Sequence, residues 1–183
     1  MIVLHRFVVS LLLATLWFAI PAGGEDQIDK APQQQEPAKV EIKRSSAAAR
    51  AKGEITFDDL KFEIAKDAPF DDKMISKDIK ELDNKAVKLS GYILPTTLFK
   101  ETDISQFVLV RDNQECCFGP GAALYDCVIV EMVPGKTTDF VTRPVTVQGK
   151  LKIDTKKYKY PGGKGPRGAS HMAVFMIEGQ SVK

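Results

Sequence analysis

Histidine is almost missing from this chain: among 183 residues only His5 and His171 carry an imidazole. His5 lies in a segment expected to be removed, which leaves His171 alone. A serine triad or a histidine-rich metal centre would therefore have to be built around this one ring. Ser170 is its neighbour in sequence, which normally keeps two side chains from facing each other, so a triad there is not expected. The chain also lacks a recognisable nucleophile motif around any of its cysteines. Residues 161–168 are glycine-rich and basic, yet they lack the Gly-x-x-x-x-Gly-Lys-Ser/Thr spacing and lead toward a strand. No phosphate-cradling loop is expected from them. Overall charge bias is absent too, with 26 basic against 24 acidic residues. Together these absences argue against an enzyme, although the sequence leaves that question open.

What is present begins with an export signal. His5 and Arg6 form a short basic start, and residues 7–20 are apolar or small throughout. Pro21 stops the helix, and Ala22-Gly23-Gly24 offers the small residues a signal peptidase accepts. The run is shorter than the roughly 20 apolar residues of a membrane span, so cleavage is expected rather than anchoring. No cysteine sits near the cleavage site, so nothing supports lipid attachment there. Residues 1–24 are thus a signal peptide, and membrane contact is expected only through it. Residues 25–53 follow as a disordered linker, with Gln33-Gln34-Gln35 between Pro32 and Pro37 and little that could be buried. A short helix at 47–52 is conceivable but would be marginal alone. Residues 54–183 remain for one folded domain.

Within that domain, Thr56 stands three residues before Asp59, a plausible start to a helical turn. Met74, Ile75, Ile79 and Leu82 recur at helical spacing and predict a short amphipathic helix over 74–82. The period then becomes that of strands. Residues 86–94, 107–110, 127–132, 145–151 and 172–177 are apolar or alternating, with turn residues between them. Gly91 and Gly149, each inside a strand pattern, suit the bends that close a small barrel. The expected fold is mainly β: a small five-stranded OB-like antiparallel barrel with a short N-terminal helix. A β-sandwich is the alternative.

The order Gly91-Tyr92-Ile93-Leu94-Pro95, then Phe107-Val108-Leu109-Val110, a cysteine-bearing turn, and Pro144-Val145-Thr146-Val147-Gln148-Gly149-Lys150-Leu151 resembles one family of exported bacterial proteins. That family is the domain of unknown function numbered 3299. The resemblance runs from about Ile55 to the C-terminus and implies an exported OB-like domain without an assigned activity. Its members usually carry Cys-Ile-His and a proline run at the turn. Here Cys116 matches, Phe118 stands at the histidine position, and only Pro120 remains of the prolines.

Cys116, Cys117 and Cys127 are the leading candidates for chemistry. An oxidising compartment favours a disulfide from Cys116 or Cys117 to Cys127, stabilising by about 2.5–3 kcal/mol if unstrained. Three buried thiols acting as small hydrophobes are a second possibility. The third is a zinc or copper site using Cys116, Cys117, Cys127 and His171. Against the metal site, neighbouring strand residues point to opposite faces, and His171 is expected at the surface, where the last strand begins. Lys159, Lys164 and Arg167 lie in a basic stretch holding a single acid, Asp154. That stretch is expected to be a solvated, flexible hairpin between the last two strands. In OB-folds this connection commonly borders the ligand face. Export makes nucleic acid an unexpected partner, so an envelope protein or small ligand is expected instead. The leading functional reading is a non-enzymatic binding or accessory module, periplasmic or extracellular. Metal handling or thiol redox chemistry is the alternative.

Overall fold

The computed structural model describes residues 43–64, 68–112, 123–165 and 168–183. The expected signal peptide and most of the expected linker lie outside these residues. Residues 43–53, however, are structured. Helix α1 (Ala47–Ala51) is capped by the Ser46 hydroxyl, which accepts from Ala49 N–H. The preceding backbone is tied to the domain, because Lys43 N–H donates to Asp58 at 2.8 Å and Ser45 N–H to Asp59 at 3.1 Å. The expected boundary at residue 54 is therefore too late. Five residues make only a marginal helix alone, and it is the two buried carboxylates that hold this stretch in place.

Strand β1 (Glu54–Ile55) pairs in parallel with the start of β2 (Ala86–Ile93). Between them lie Thr56 and Asp59, whose carboxylate accepts from the Thr56 backbone N–H at 2.8 Å and hydroxyl at 3.2 Å. The helix expected over 74–82 is shorter than its period suggests. A 3₁₀ turn at Asp72–Met74 precedes α2 (Lys77–Lys80), whose N-cap is Ser76. Ile75 and Ile79 are buried as the spacing requires. Serine at 76 competes for backbone hydrogen bonds and divides the segment into two short pieces.

The remaining strands are β3 (Gln106–Val110), β4 (Cys127–Met132), β5 (Val145–Ile153) and β6 (Phe175–Val182). Around the ring, β2 pairs with β3, β3 with β4, β4 with β6, β6 with β5, and β5 again with β2. This is a closed five-stranded barrel, and the sandwich alternative falls away. One detail departs from expectation: β4 and β6 run parallel. A ring with an odd number of strands cannot alternate direction all the way round, so at least one neighbouring pair must be parallel.

The inside of the barrel follows the alternation. Val87, Leu89, Phe107, Leu109, Val128, Val130, Val147, Leu151, Phe175 and Ile177 share one apolar core, joined by Phe57, Leu60 and Phe62. The two strand glycines have a measurable reason. A Cβ at Gly91 would meet Val110 O at 2.5 Å, and one at Gly149 would meet Glu178 O at 2.2 Å. A register shift between Gln148 and Gly149 marks the bend in β5.

Candidate ligand face

Alternation also decides what lies outside. Phe107 and Leu109 face inward, so Gln106 and Val108 face out. By the same rule Cys127, Ile129 and Glu131 lie on the outside of β4, and Met176 on the outside of β6. In OB-folds, ligands commonly meet the second and third barrel strands, between the connections that follow the first and fourth. Those strands are β3 and β4 here, and the connections are residues 94–105 and 154–174.

This face is not bare. Tyr158 is buried against Ile129, Ala173 and Met176, with Val108 at the margin, in an apolar cluster separate from the barrel core. Its hydroxyl donates to Glu131 Oε1 at 2.5 Å. Lys157 Nζ reaches both Glu131 oxygens at 2.6 Å, and Gln106 Nε2 donates to Oε1 at 3.3 Å. Burial raises the Glu131 carboxyl, but the hydrogen bonds from Lys157 and Tyr158 outweigh it and hold the group below the usual range. For Tyr158, burial and the bond to the Glu131 carboxylate act together and push the phenol up to about 12.

The rest of the connection continues this arrangement. Met172 N–H donates to Tyr158 O at 2.8 Å and Tyr160 N–H to Ser170 O at 3.0 Å, while Lys159 pairs with His171. The flexible hairpin expected here is thus a small two-stranded ribbon with hydrogen-bonded sides. Lys159 and Lys164 are exposed on it; Arg167 lies outside the described residues. In the connection after β2, the large apolar side chain of Phe99 is fully exposed.

His171 corrects two expectations. It is buried rather than at the surface, stacked edge-on against Phe70 at 5.1 Å. Its Nδ1 also lies 2.7 Å from the Oγ of adjacent Ser170, although neighbours were not expected to face each other. A bond from outside the ribbon accompanies this: Phe70 N–H donates to Ser170 Oγ at 2.7 Å. Nε2 lies 2.9 Å from Thr155 O. With the proton on Nε2, every donor in this group meets an acceptor. Both ring nitrogens are therefore engaged, and a metal-binding role for His171 would require one of these bonds to be given up.

Cys116 and Cys117 lie outside the described residues. Cys127 is half-buried at the start of β4, opposite Val110, with its thiol 3.4 Å from Ala123 O. Beside it, Arg111 bridges two carboxylates, with Nη1 2.6 Å from Asp58 Oδ1 and Nε 2.5 Å from Asp126 Oδ1. Burial raises the Asp58 carboxyl, yet Arg111 and the Lys43 N–H more than compensate and leave it below its ordinary value. Among the described residues, no three His, Cys, Asp or Glu side chains are grouped to hold a metal.

Neither polar cluster was singled out from the sequence. Glu131 and Tyr158 are 27 positions apart, and Asp58 and Arg111 53 apart. The one available signal was an aromatic, Tyr158, inside an otherwise solvated run of lysines.

Comparison with known proteins gives a family and a similar solved structure. No curated protein matches the chain. A solved structure of a DUF3299 family protein from Pseudomonas aeruginosa PAO1 is similar at 24% identity, with a TM-score of 0.41. The match covers 57% of this chain and 63% of that one. The family model described as "Protein of unknown function (DUF3299)" matches residues 25–177, most of the sequence, and the chain belongs to that family.

Proposed function

We propose that the protein is an exported, non-enzymatic binding or accessory module of the bacterial envelope, with the 154–174 connection as its contact element. One observation carries this reading. The connection is a hydrogen-bonded ribbon seated on the β3–β4 face, and it holds Lys156, Lys159 and Lys164 outward. A ribbon tied down in this way presents its side chains in fixed positions, which lowers the ordering cost of binding. Exposed Phe99 on the other bordering connection gives an apolar contact of the kind interfaces favour. The partner is an envelope protein or a small ligand bearing negative charge.

Site-specific photo-crosslinking in an exporting bacterium tests this. A crosslinker at position 159 or 164 should give discrete adducts in the envelope fraction, and one at Lys77 in α2 should not. Equal adducts at all three positions, or recovery of the chain only in the cytoplasm, would overturn the proposal.

The alternative of metal handling or thiol redox chemistry is favoured by one placement. Cys127 opens β4 opposite Val110, and Cys116 and Cys117 precede it in the sequence. Zinc and copper content after purification, with a thiol count, tests that reading directly.

A further inference from the structure

We infer that the cleft between α1 and α2 is a binding site for a small amphipathic carboxylate, a molecule with an apolar body and a single anionic head. The cleft shares no residue with the 154–174 connection, so it does not depend on the contact proposed there.

The way α1 is held is the first observation. None of its residues is buried, so packing does not explain its position. It is fixed from both ends instead. Before it, the N–H groups of Lys43 and Ser45 bond Asp58 and Asp59, and Arg44 Nη1 lies 3.6 Å from Asp78 Oδ2 in α2. After it, Gly53 O accepts from Lys88 N–H at 2.7 Å. A helix of this length has little stability of its own, and these anchors set it as one wall of an open gap.

The gap itself is the second. It measures about 480 Å³, within the size range of ligand pockets. Ala47 and Ala51 line it from α1, and Ile55, Leu82 and Val87 line it from the barrel side. Ile55 and Val87 belong to the barrel core and Leu82 packs against that core, so this wall is apolar and firmly placed. The alanine methyl groups are too small to fill the space between.

Charge on the rim is the third, and it selects the ligand. Arg50, Asp78, Glu81 and Lys85 stand around the opening. Asp78 is taken by Arg44. The side chains of Arg50, Glu81 and Lys85 have no ion pair among the described residues. Two cations against one anion leave a single positive charge in excess, which one anionic head matches. A carboxylate suits Arg50, whose guanidinium can donate two parallel hydrogen bonds, while Glu81 repels a second anionic group.

Titration of the full chain with sodium octanoate, kept below its micelle concentration and followed by backbone-amide NMR, tests the inference. The amides of Gly53, Ile55, Leu82 and Val87 should shift saturably, and those of Val128 and Ile177 should not. 1-Octanol has the same apolar body without the charge and should bind about tenfold more weakly. Octanoate should lose about the same factor on the double variant R50Q/K85Q, whose two positions are exposed and leave the barrel unaltered. Ala51→Leu, which keeps a good helix former at an exposed position, should fill the gap and abolish the shifts. Equal binding of octanoate and 1-octanol, shifts that persist in both variants, or no saturable shift in the wild type would each overturn the inference.

Discussion

The barrel interior and the outer face of β3–β4 are both apolar, but they are held in different ways. Inside, Leu89, Leu109, Val128, Val130, Val147 and Phe175 are fully buried against one another with no polar side chain among them. Their contribution comes from area removed from water and from close packing. Outside, the smaller cluster of Ile129, Tyr158, Ala173 and Met176 is closed by Glu131 and by the ribbon, which Phe70 also holds through Ser170 and His171. The interior needs only apolar residues at every second position. The outer face needs particular groups at particular places, so single substitutions should loosen it without unfolding the domain.

The sharpest way to break this contrast is in the interior. Phe175→Ala should destabilise the domain by about 3–5 kcal/mol, read from the urea midpoint. A loss below about 1 kcal/mol would mean the core is not centred there. Next come the cysteines. If Cys127 is bridged, Cys127→Ser should cost up to about 3 kcal/mol. Only one of Cys116→Ser and Cys117→Ser should then match it. Alkylation with and without reductant, followed by mass spectrometry, counts the thiols; three accessible thiols after chelation, with stoichiometric metal beforehand, would favour the metal reading instead.

A smaller effect is expected at Arg111, whose guanidinium is partly solvated. Arg111→Met should cost about 1–2 kcal/mol at neutral pH by removing the cation paired with Asp58 and Asp126. The pH dependence has a definite sign. Because the folded Asp58 carboxyl lies below its ordinary value, its contribution is present above about pH 4 and is lost as pH falls through the folded value. The variant should show a shallower acid slope; an unchanged slope would remove Arg111 as the cause.

The smallest effect belongs to Tyr158. Its phenol, raised to about 12 in the fold, keeps its proton where the unfolded chain loses it near pH 10. That contribution is complete below about pH 10 and declines as pH rises toward 12. Tyr158→Phe should abolish this alkaline decline and cost about 1 kcal/mol at neutral pH. Titration of the phenol by its ultraviolet absorbance checks the assignment.

Much of the barrel could be read from the sequence, because alternation within a strand is a local signal. The segments 86–94, 107–110, 127–132 and 145–151 correspond closely to β2 through β5, and Gly91 and Gly149 stand at close backbone approaches. The last strand is displaced. The apolar run begins at Met172, but β6 begins at Phe175; Met172 belongs to the ribbon, Ala173 to the outer cluster and Val174 to the barrel core. The parallel β4–β6 pair is a property of the closed ring and leaves no mark in either segment. The candidate site was less legible for the same reason. Tyr158 sits in a lysine-rich run that looks solvated, and its partner Glu131 belongs to another strand. Ser170 and His171 meet beside Phe70, 100 residues earlier in the chain, whose N–H bonds the hydroxyl. Composition points correctly to a basic stretch there but carries no information about the ribbon's hydrogen bonds.

Hydrogen exchange of individual amides in the wild-type protein tests the central claim, that the connection is an ordered ribbon seated on the outer face of the barrel. The amides of Tyr160 and Met172, which donate to Ser170 O and Tyr158 O, should be protected. In low concentrations of urea they should open before those of Phe175 and Ile177 in β6. Exchange of Tyr160 and Met172 at unprotected rates would contradict the account, because the connection would then be the solvated loop its lysines suggest.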